Sequence, residues 1–176
     1  RPPRRLRRLP ASLSAQVRDA QLYRLCIPRL YGGLEATPRT VVETIEALAG
    51  TDASAAWCVM ISATTGAFGA YLDEDEASAI FPDPSLVFAG VYAPMGRATV
   101  EGDSYRVTGQ WKWNSGGQNA SWLCGGCVIY ENGAPRMLTE KIADHRMMLF
   151  PASEVTFIDT WHTAGLRGSG SGDMAE

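Results

Sequence analysis

One stretch in the middle of the chain, residues 109–122, holds residue types that could bind a flat ligand. It contains a serine, Ser115, a pair of glycines at 116 and 117, and three tryptophans at positions 111, 113 and 122. Tryptophan offers flat apolar surface, and glycine lets a ligand approach the backbone closely. A β-hairpin with tryptophans in its core would show the same pattern. The residues alone therefore leave a ligand site and a structural hairpin both open.

Other chemically capable residues give weaker patterns. Cys124 and Cys127 form a C-x-x-C pair, but residues three apart in a strand point to opposite faces and cannot hold one metal ion together. No second cysteine pair or histidine cluster completes a tetrahedral set, so we predict no metal site. The two histidines, His145 and His162, could act as bases near neutral pH. The run 168–172 matches neither a nucleophile elbow nor a dinucleotide-binding loop.

The elements that position this stretch begin with helices. Capping residues and apolar periodicity predict four of them: from Ser12 to about Leu25, from Thr37-Pro38 to Gly50, from Ala53 to about Tyr71, and a short acidic one that ends before Pro82. The third is apolar nearly all round, which is typical of a helix buried among other elements.

Strands dominate after residue 84. Short alternating runs are separated by turns such as Gly102-Asp103 and Asn132-Gly133, and they cover 86–92, 98–101, 104–108, 123–130, 136–139 and 155–158. Helices followed by strands indicate an α+β fold. We predict a disordered Arg/Pro-rich head over 1–10, a helical domain over 11–83 and an antiparallel β-domain over 84–176.

The composition of the chain argues against two classes of partner, nucleic acids and membranes. Five of the 16 basic residues lie among the first eight positions, so the remaining 11 face 19 acidic residues and the body is acidic. Such a body is a poor match for nucleic acid. No run approaches the roughly 20 apolar residues that span a bilayer, so we expect no membrane association. Four cysteines without a signal peptide indicate reduced thiols and a cytoplasmic location.

The central stretch resembles the flavin-binding strand of the acyl-CoA dehydrogenase superfamily. That pattern is filled without a gap by Gly109, Trp113, Ser115, Gly117, Ala120 and Trp122. The turn at 28–33 and the segment 161–171, which reads Gly-Leu-Arg-Gly-Ser-Gly-Ser at its end, are similar to two further segments of the family. The resemblance covers nearly all of this chain but about the first half of a full member. The C-terminal four-helix bundle of full members is absent here.

The resemblance implies roles for four residues. Trp113 would pack on the isoalloxazine ring of a flavin, and Ser115 would form a hydrogen bond with flavin N5. Asn114 would reach the ring edge through its backbone. Trp161, with the loop 167–169, would line this pocket or a neighbouring subunit's cofactor site. Catalytic residues stay unknown, because neither histidine falls at a position that the family uses. The central helix has no histidine at 61–66, where hydroxylase members often place one. The family's other acid–base residues lie in the bundle.

The loop before the central stretch distinguishes the dehydrogenase branch of the superfamily from the hydroxylase branch. Dehydrogenases carry an acidic residue and Gly-Ser-Asp there, whereas this chain reads Gly-Val-Tyr-Ala-Pro-Met-Gly-Arg-Ala over 90–98. This shortened form is more similar to the flavin-dependent hydroxylase branch. The resemblance implies the oxygenase component of a two-component monooxygenase, which hydroxylates a small aromatic or polycyclic substrate with O2 and reduced FMN or FAD from a separate flavin reductase.

Two alternatives remain beside that function. One is an acyl-CoA dehydrogenase that oxidises an acyl thioester with FAD. The other is a truncated or split, non-catalytic flavin-fold chain that needs a partner to supply the bundle. In each case we expect apolar faces to favour a homo-oligomer or such a partner chain.

Overall fold

The structure, a computed structural model, describes residues 7–176. Its first half is helical, and its four α-helices are α1 (Ala11–Asp19), α2 (Pro38–Ala49), α3 (Ala53–Gly66) and α4 (Glu74–Ile80). Seven strands follow: β1 (Phe88–Glu101), β2 (Ser104–Trp111), β3 (Trp122–Glu131), β4 (Ala134–Pro135), β5 (His145–Pro151), β6 (Thr156–Ile158) and β7 (Asp173–Ala175). The predicted α+β fold class is confirmed.

Local capping explains where the two central helices begin. The Thr37 side chain accepts a hydrogen bond from the backbone N–H of Thr40 at 3.2 Å, with proline at the first helical position. Asp52 accepts from the backbone N–H groups of Ser54 and Ala55 at 2.8 and 3.0 Å. Both helices begin as predicted, because these signals are local in sequence.

The first helix ends earlier than predicted, at Asp19 rather than near Leu25. Gln21 has a φ of +59°, which the right-handed helix cannot accommodate. The following residues, Leu22–Arg24, form a single 3-10 turn instead. The turn moves the side chains of Tyr23 and Leu25 into the core beneath α3.

Helix α3 lies at the centre of the molecule, against α2 and β1. Continued by the 3-10 turn Ala67–Tyr71, it is the one stretch within residues 7–176 that is long and apolar enough, by length and composition, to cross a membrane. The sequence had predicted no such stretch. More than half of it, 56%, is buried inside the protein, and Val59 and Ala63 are fully buried. Its apolar composition is therefore that of a core helix.

The sheet has the strand order β4-β3-β1-β2-β7-β6, with β5 also paired to β3. β1 pairs antiparallel with β2 but parallel with β3, so the sheet is mixed rather than purely antiparallel. The cause is the segment 112–121, here called the crossing segment, which carries the chain from the end of β2 to the far side of β1. The hairpin interpretation of 109–122 is therefore wrong, since β2 and β3 are not neighbours.

Other strand boundaries also differ from the predictions. The predicted runs at 86–92 and 98–101 are one strand, β1, whose pairing with β3 shifts register around Pro94. Strands β4, β5 and β7 were not predicted, and the predicted strand at 136–139 contains only a bridge from Met137 to Ala143. Each difference depends on pairing between distant segments, which short sequence windows do not show.

Trp111 forms the centre of the sheet core. It is fully buried, and its indole Nε1 donates to the carbonyl of Gly126 at 2.8 Å. Glycines surround the ring: a Cβ on Gly96 would lie 2.1 Å from Trp111 Cζ2, and one on Gly125 would lie 2.6 Å from Cε2. Trp111 is thus a structural residue that neighbouring glycines make room for.

The structure bears on the predicted disordered head at its second part only. Residues 1–6 of the predicted disordered head lie outside the described residues. The predicted disorder does not extend to residues 7–10, because Leu9 is 1% exposed against Ala55 and Arg7 forms an ion pair with Asp159. The boundary near residue 84 stays a prediction. No α-helix follows α4 within residues 7–176, so this part of the chain contains no helical bundle after the sheet.

Candidate functional site

The crossing segment begins by turning one tryptophan outward. Trp113 lies just beyond the end of β2 and has a φ of +66°, a left-handed conformation that is unusual for a large residue. Its side chain is 65% exposed, whereas Trp111 two residues earlier is fully buried. The two tryptophans therefore differ in burial, and Trp113, the one that the resemblance assigns to the flavin ring, presents its surface to solvent.

Ser115 lies two residues further on and faces the protein. It is 5% exposed, and its Oγ accepts a hydrogen bond from the indole Nε1 of Trp57 at 2.9 Å. Its Oγ also lies 2.6 Å from Ser171 Oγ. The Ser115 side chain is thus hydrogen-bonded to helix α3 on one side and to the segment before β7 on the other.

The contact with Ser171 continues into a row of hydroxyl groups. Ser171 Oγ lies 2.6 Å from Ser169 Oγ, and Ser169 Oγ donates to the carbonyl of Leu166 at 2.8 Å. We call Ser115, Ser171 and Ser169 the serine row. The Leu166 carbonyl also accepts from the indole Nε1 of Trp161 at 3.0 Å. Two of the predicted site residues, Ser115 and Trp161, are therefore connected through one hydrogen-bonded path.

Asn114 lies on the protein side of the crossing segment. It is 2% exposed, its backbone N–H donates to Gly172 O at 2.8 Å, and its carbonyl accepts from Gly117 N–H at 3.3 Å. Its side-chain Nδ2 and Oδ1 are buried and have no hydrogen-bond partner among residues 7–176. A Cβ on Gly117 would lie 2.1 Å from Nδ2, so glycine is needed there. The predicted contact of the Asn114 backbone with a ring edge stays a prediction.

Several exposed apolar side chains lie on the elements that carry this site, α3, β1 and the crossing segment. Trp57 is 40% exposed, and Tyr92 and Met95, from the irregular part of β1, are 49% and 40% exposed. Tyr92 is tied to α3 through Thr65, with 3.3 Å between the hydroxyl oxygens, and Met95 Sδ accepts from the backbone N–H of Lys112 at 3.5 Å. With Trp113 they form what we call the aromatic face. Large exposed apolar groups next to buried polar ones are typical of ligand sites.

The thiol nearest the serine row is not a nucleophile. Cys58 lies on α3, and its Sγ is 3.6 Å from the carbonyl oxygen of Ser169. Burial, helped by the charge of Asp52, raises the pKa of Cys58 to about 12. Because the thiolate is the reactive form, Cys58 is a buried neutral group at physiological pH.

Other candidates from the sequence lie elsewhere or are structural. Burial raises the pKa of Cys124 to about 12 and that of Cys127 to about 11, which opposes the thiolate form that metals and disulfide exchange require. Within residues 7–176, no group of three or more cysteine, histidine or acidic side chains could hold a metal ion. His145 and His162 are both exposed, and His162 lies beside Arg7, with its Nδ1 3.0 Å from Nη1.

A cavity of about 620 Å³ lies beside Arg24, away from the serine row. The Arg24 guanidinium is buried and donates to the carbonyls of Gly32, Asp83, Tyr31 and Phe81 at 2.6–3.1 Å. Burial lowers the pKa of Arg24, opposed by the charge of Asp83. With its donors directed at carbonyls, Arg24 joins the 28–33 turn to the end of α4 and does not offer an anion site.

Sequence reasoning missed two members of the site. It treated Trp57 as one apolar residue of a buried helix, and it noted the 167–171 segment without assigning Ser171 a partner. A tryptophan in an otherwise small-residue stretch of α3 was the available signal for the first. For Ser171 there was none, because its contact with Ser115 joins residues 56 positions apart.

Known proteins share both the sequence and the fold of this chain. The oxygenase subunit HsaA of a flavin-dependent monooxygenase from Mycobacterium tuberculosis is 32% identical over 170 residues, which cover 96% of this chain and 41% of HsaA. Its crystal structure matches 98% of this chain and 44% of the HsaA chain with a TM-score of 0.88. Indole-3-acetate monooxygenase of Pseudomonas putida is 31% identical over 153 residues, covering 87% of this chain and 38% of that protein.

A third similar protein, XiaF from Streptomyces sp., was solved in complex with FADH2 and glycerol. It is 29% identical, with a TM-score of 0.89 over 98% of this chain and 42% of that chain. No family model matches the chain. The chain spans about two fifths of the length of the curated relatives described here.

The helices, the mixed sheet and these matches define a protein of the acyl-CoA dehydrogenase-like superfamily, as the central stretch predicted. Within that superfamily, two of the similar proteins named above are monooxygenases, and HsaA is the oxygenase subunit of a flavin-dependent one. The roles of Trp113, Asn114, Ser115 and Trp161 in binding a cofactor stay predictions.

Proposed function

We propose that this chain forms the flavin-binding part of the oxygenase component of a two-component monooxygenase. The reaction would be hydroxylation of a small aromatic or polycyclic substrate with reduced FMN or FAD and O2. The observation that carries the proposal is the pairing of a solvent-exposed Trp113 with a buried Ser115 hydroxyl two residues away. One offers a flat apolar surface and the other a fixed hydrogen-bonding group, which together suit a flavin ring.

The residues present fit such a ring. Trp113 would pack on its face, and Ser115 would meet its N5 atom. The amide atoms of Asn114 give the crossing segment further hydrogen-bonding capacity, which contacts among the described residues do not use. Trp161 would support the site indirectly. Its indole donates a hydrogen bond to the Leu166 carbonyl, which lies at the end of the serine row.

When bound, reduced flavin would supply the electrons that activate O2. The chain's own part would be to orient the ring and exclude water from its reacting side. The aromatic face would hold a flat substrate there, since aromatic side chains pack well on aromatic ligands. The relatives named above are monooxygenases, which supports hydroxylation over oxidation of an acyl thioester.

Partners follow from the same proposal. A two-component enzyme needs a separate flavin reductase that delivers the reduced cofactor. Large apolar side chains are exposed away from the site, which supports a homo-oligomer or a partner that supplies a helical bundle; they include Leu30, Val42, Leu138 and Ile142. We also propose a cytoplasmic location, which the four free cysteines support.

The experiment is an anaerobic titration of the purified chain with FMN and FAD, each oxidised and reduced, followed by flavin absorbance and fluorescence. The proposal predicts saturable binding with a preference for a reduced form. The same titration after co-expression with a chain that carries a helical bundle tests the partner, which should tighten binding. Absence of binding under both conditions would refute the flavin proposal, and tight binding of oxidised FAD alone would favour a dehydrogenase.

A further inference from the structure

The serine row ends on groups whose hydrogen-bonding roles are fixed. At one end, the indole Nε1–H of Trp57 can only donate, so Ser115 Oγ accepts from it at 2.9 Å. At the other end, the carbonyl of Leu166 can only accept, so Ser169 Oγ donates to it at 2.8 Å. Each serine hydroxyl has one proton and two lone pairs. These two ends therefore determine every proton position between them.

Ser169 donates its one hydroxyl proton to the carbonyl of Leu166. In the 2.6 Å contact between Ser169 and Ser171, the donor must therefore be Ser171. The proton of Ser171 is then also used, so Ser115 must donate in the 2.6 Å contact that joins Ser115 to Ser171. All donors point the same way, an arrangement in which neighbouring hydrogen bonds strengthen one another.

Burial keeps this arrangement in place. Ser169 is 1% and Ser171 is 3% exposed, so bulk water cannot easily replace either hydroxyl. The crossing segment and the segment 169–172 are also joined by two backbone hydrogen bonds of 2.8 Å, from Gly116 N–H to Ser169 O and from Asn114 N–H to Gly172 O. Gly170, with a φ of +60°, turns the chain between the two serines. The row is therefore a rigid part of the site.

We propose that Ser171 and Ser169 are positioning residues that hold the Ser115 hydroxyl as a hydrogen-bond acceptor toward its ligand. With its proton given to Ser171 and one lone pair given to Trp57, Ser115 has one lone pair left. It can receive the N5–H of a reduced flavin but has no proton for the bare N5 of an oxidised one. This inference rests on the proposed function and assigns the choice of redox state to the serine row.

The test compares dissociation constants for oxidised and reduced flavin in wild-type chain and in Ser171→Ala. Removal of the Ser171 hydroxyl frees the Ser115 proton to point at the ligand, because the other acceptor near Ser115 Oγ, the Trp113 carbonyl, is 3.5 Å away, beyond the usual length of such a bond. We expect the ratio of the oxidised to the reduced dissociation constant to fall roughly two- to tenfold, the worth of one hydrogen bond. A role in folding alone would weaken both redox forms together and leave the ratio unchanged.

Two further variants sharpen the result. Ser169→Ala should lower the ratio in the same direction, because it releases the Ser171 proton toward Ser115, and the Leu166 carbonyl keeps its bonds from Trp161 and from the backbone N–H of Ser169. Ser62→Ala is the matched control: Ser62 is equally buried and accepts from Phe88 N–H at 3.1 Å, but it lies outside the row. The control should keep the wild-type ratio. Circular dichroism identifies which variants are folded.

The outcomes are distinguishable. Flavin binding by the wild-type chain with the same ratio in folded Ser171→Ala or Ser169→Ala would overturn this inference and leave the proposed function standing. Failure of the wild-type chain to bind either redox form, both alone and after co-expression with the bundle-bearing chain, would overturn the proposed function together with this inference.

Discussion

The indole Nε1 of Trp57 donates a hydrogen bond of 2.9 Å to Ser115 Oγ, although the two residues lie 58 positions apart. The contact joins the central helix α3 to the crossing segment that leaves the sheet after β2. It places an aromatic ring beside the hydroxyl that the sequence marks as the flavin contact. The helical half of the chain therefore contributes directly to a site that sequence patterns assign to the strand half.

A double-mutant cycle measures the strength of this contact. Trp57→Phe keeps an aromatic ring without the N–H donor, and Ser115→Ala removes the acceptor. Because both changes delete the same hydrogen bond, we expect a coupling free energy of about 0.5–1.5 kcal/mol in urea unfolding. Additive losses in the double variant would show that the two side chains are not coupled in solution.

Ser115→Ala should also weaken reduced-flavin binding in the titration. The loss of one hydrogen bond to the ring predicts a drop in affinity of roughly two- to tenfold. Folding should persist, because the exposed edge of Trp57 lets water take up the freed indole N–H. Unchanged flavin affinity in a folded variant would remove Ser115 from the site.

The two neighbouring tryptophans form a matched pair. Trp113→Ala removes an exposed ring, so the free energy of unfolding should change by no more than about 0.5 kcal/mol, while flavin affinity falls about tenfold or more. Trp111→Ala empties the centre of the sheet core and should cost about 3–5 kcal/mol in stability. Chemical unfolding and flavin titration on both variants check this. The reverse pattern would contradict the placement of Trp113 at the ligand.

Buried thiols predict a loss of stability in alkaline solution. Burial raises the pKa of Cys124 to about 12, with a smaller effect from neighbouring Cys127, and an unfolded thiol titrates near pH 8.5. The folded chain keeps its full stability below the pKa of the unfolded thiol. Its free energy of unfolding falls as pH rises above that pKa, because only the unfolded chain then releases the Cys124 proton. The expected slope is about 1.4 kcal/mol per pH unit for each such thiol.

Urea unfolding under reducing conditions at about pH 8, 9 and 10 measures this slope. Cys124→Ala should reduce the loss of stability between the two higher pH values by about 1.4 kcal/mol relative to wild type. An identical pH profile in the variant would show that Cys124 is not protected from ionisation in the folded chain.

Much of the local structure could be predicted because its causes lie close together in sequence. The cap at Thr37 with its following proline and the cap at Asp52 gave the starts of α2 and α3. The resemblance of residues 109–122 to a flavin-binding strand indicated the superfamily and implied the candidate ligand contacts. Each of these signals lies within a few residues, where propensity and capping act directly.

The remaining features depend on contacts between distant segments. The parallel pairing of β1 with β3 follows from the path of the crossing segment, and no local residue specifies it. The serine row brings together positions 115, 169 and 171, and the outward turn of Trp113 depends on a single backbone angle of +66°. Local sequence patterns therefore predicted most of the elements and the family resemblance implied the ligand class, but neither showed the hydrogen-bonding role of Ser115.

The most direct test of the central claim observes the flavin at Ser115. Reduced flavin carrying a nitrogen isotope label at N5 is bound to wild-type chain and to Ser115→Ala, and the N5–H resonance is recorded by NMR. The site described here predicts a hydrogen-bonded, exchange-protected N5–H in the wild-type complex that loses its protection in the variant. The same N5–H signal in both complexes, or no bound flavin in the wild-type sample, would contradict it.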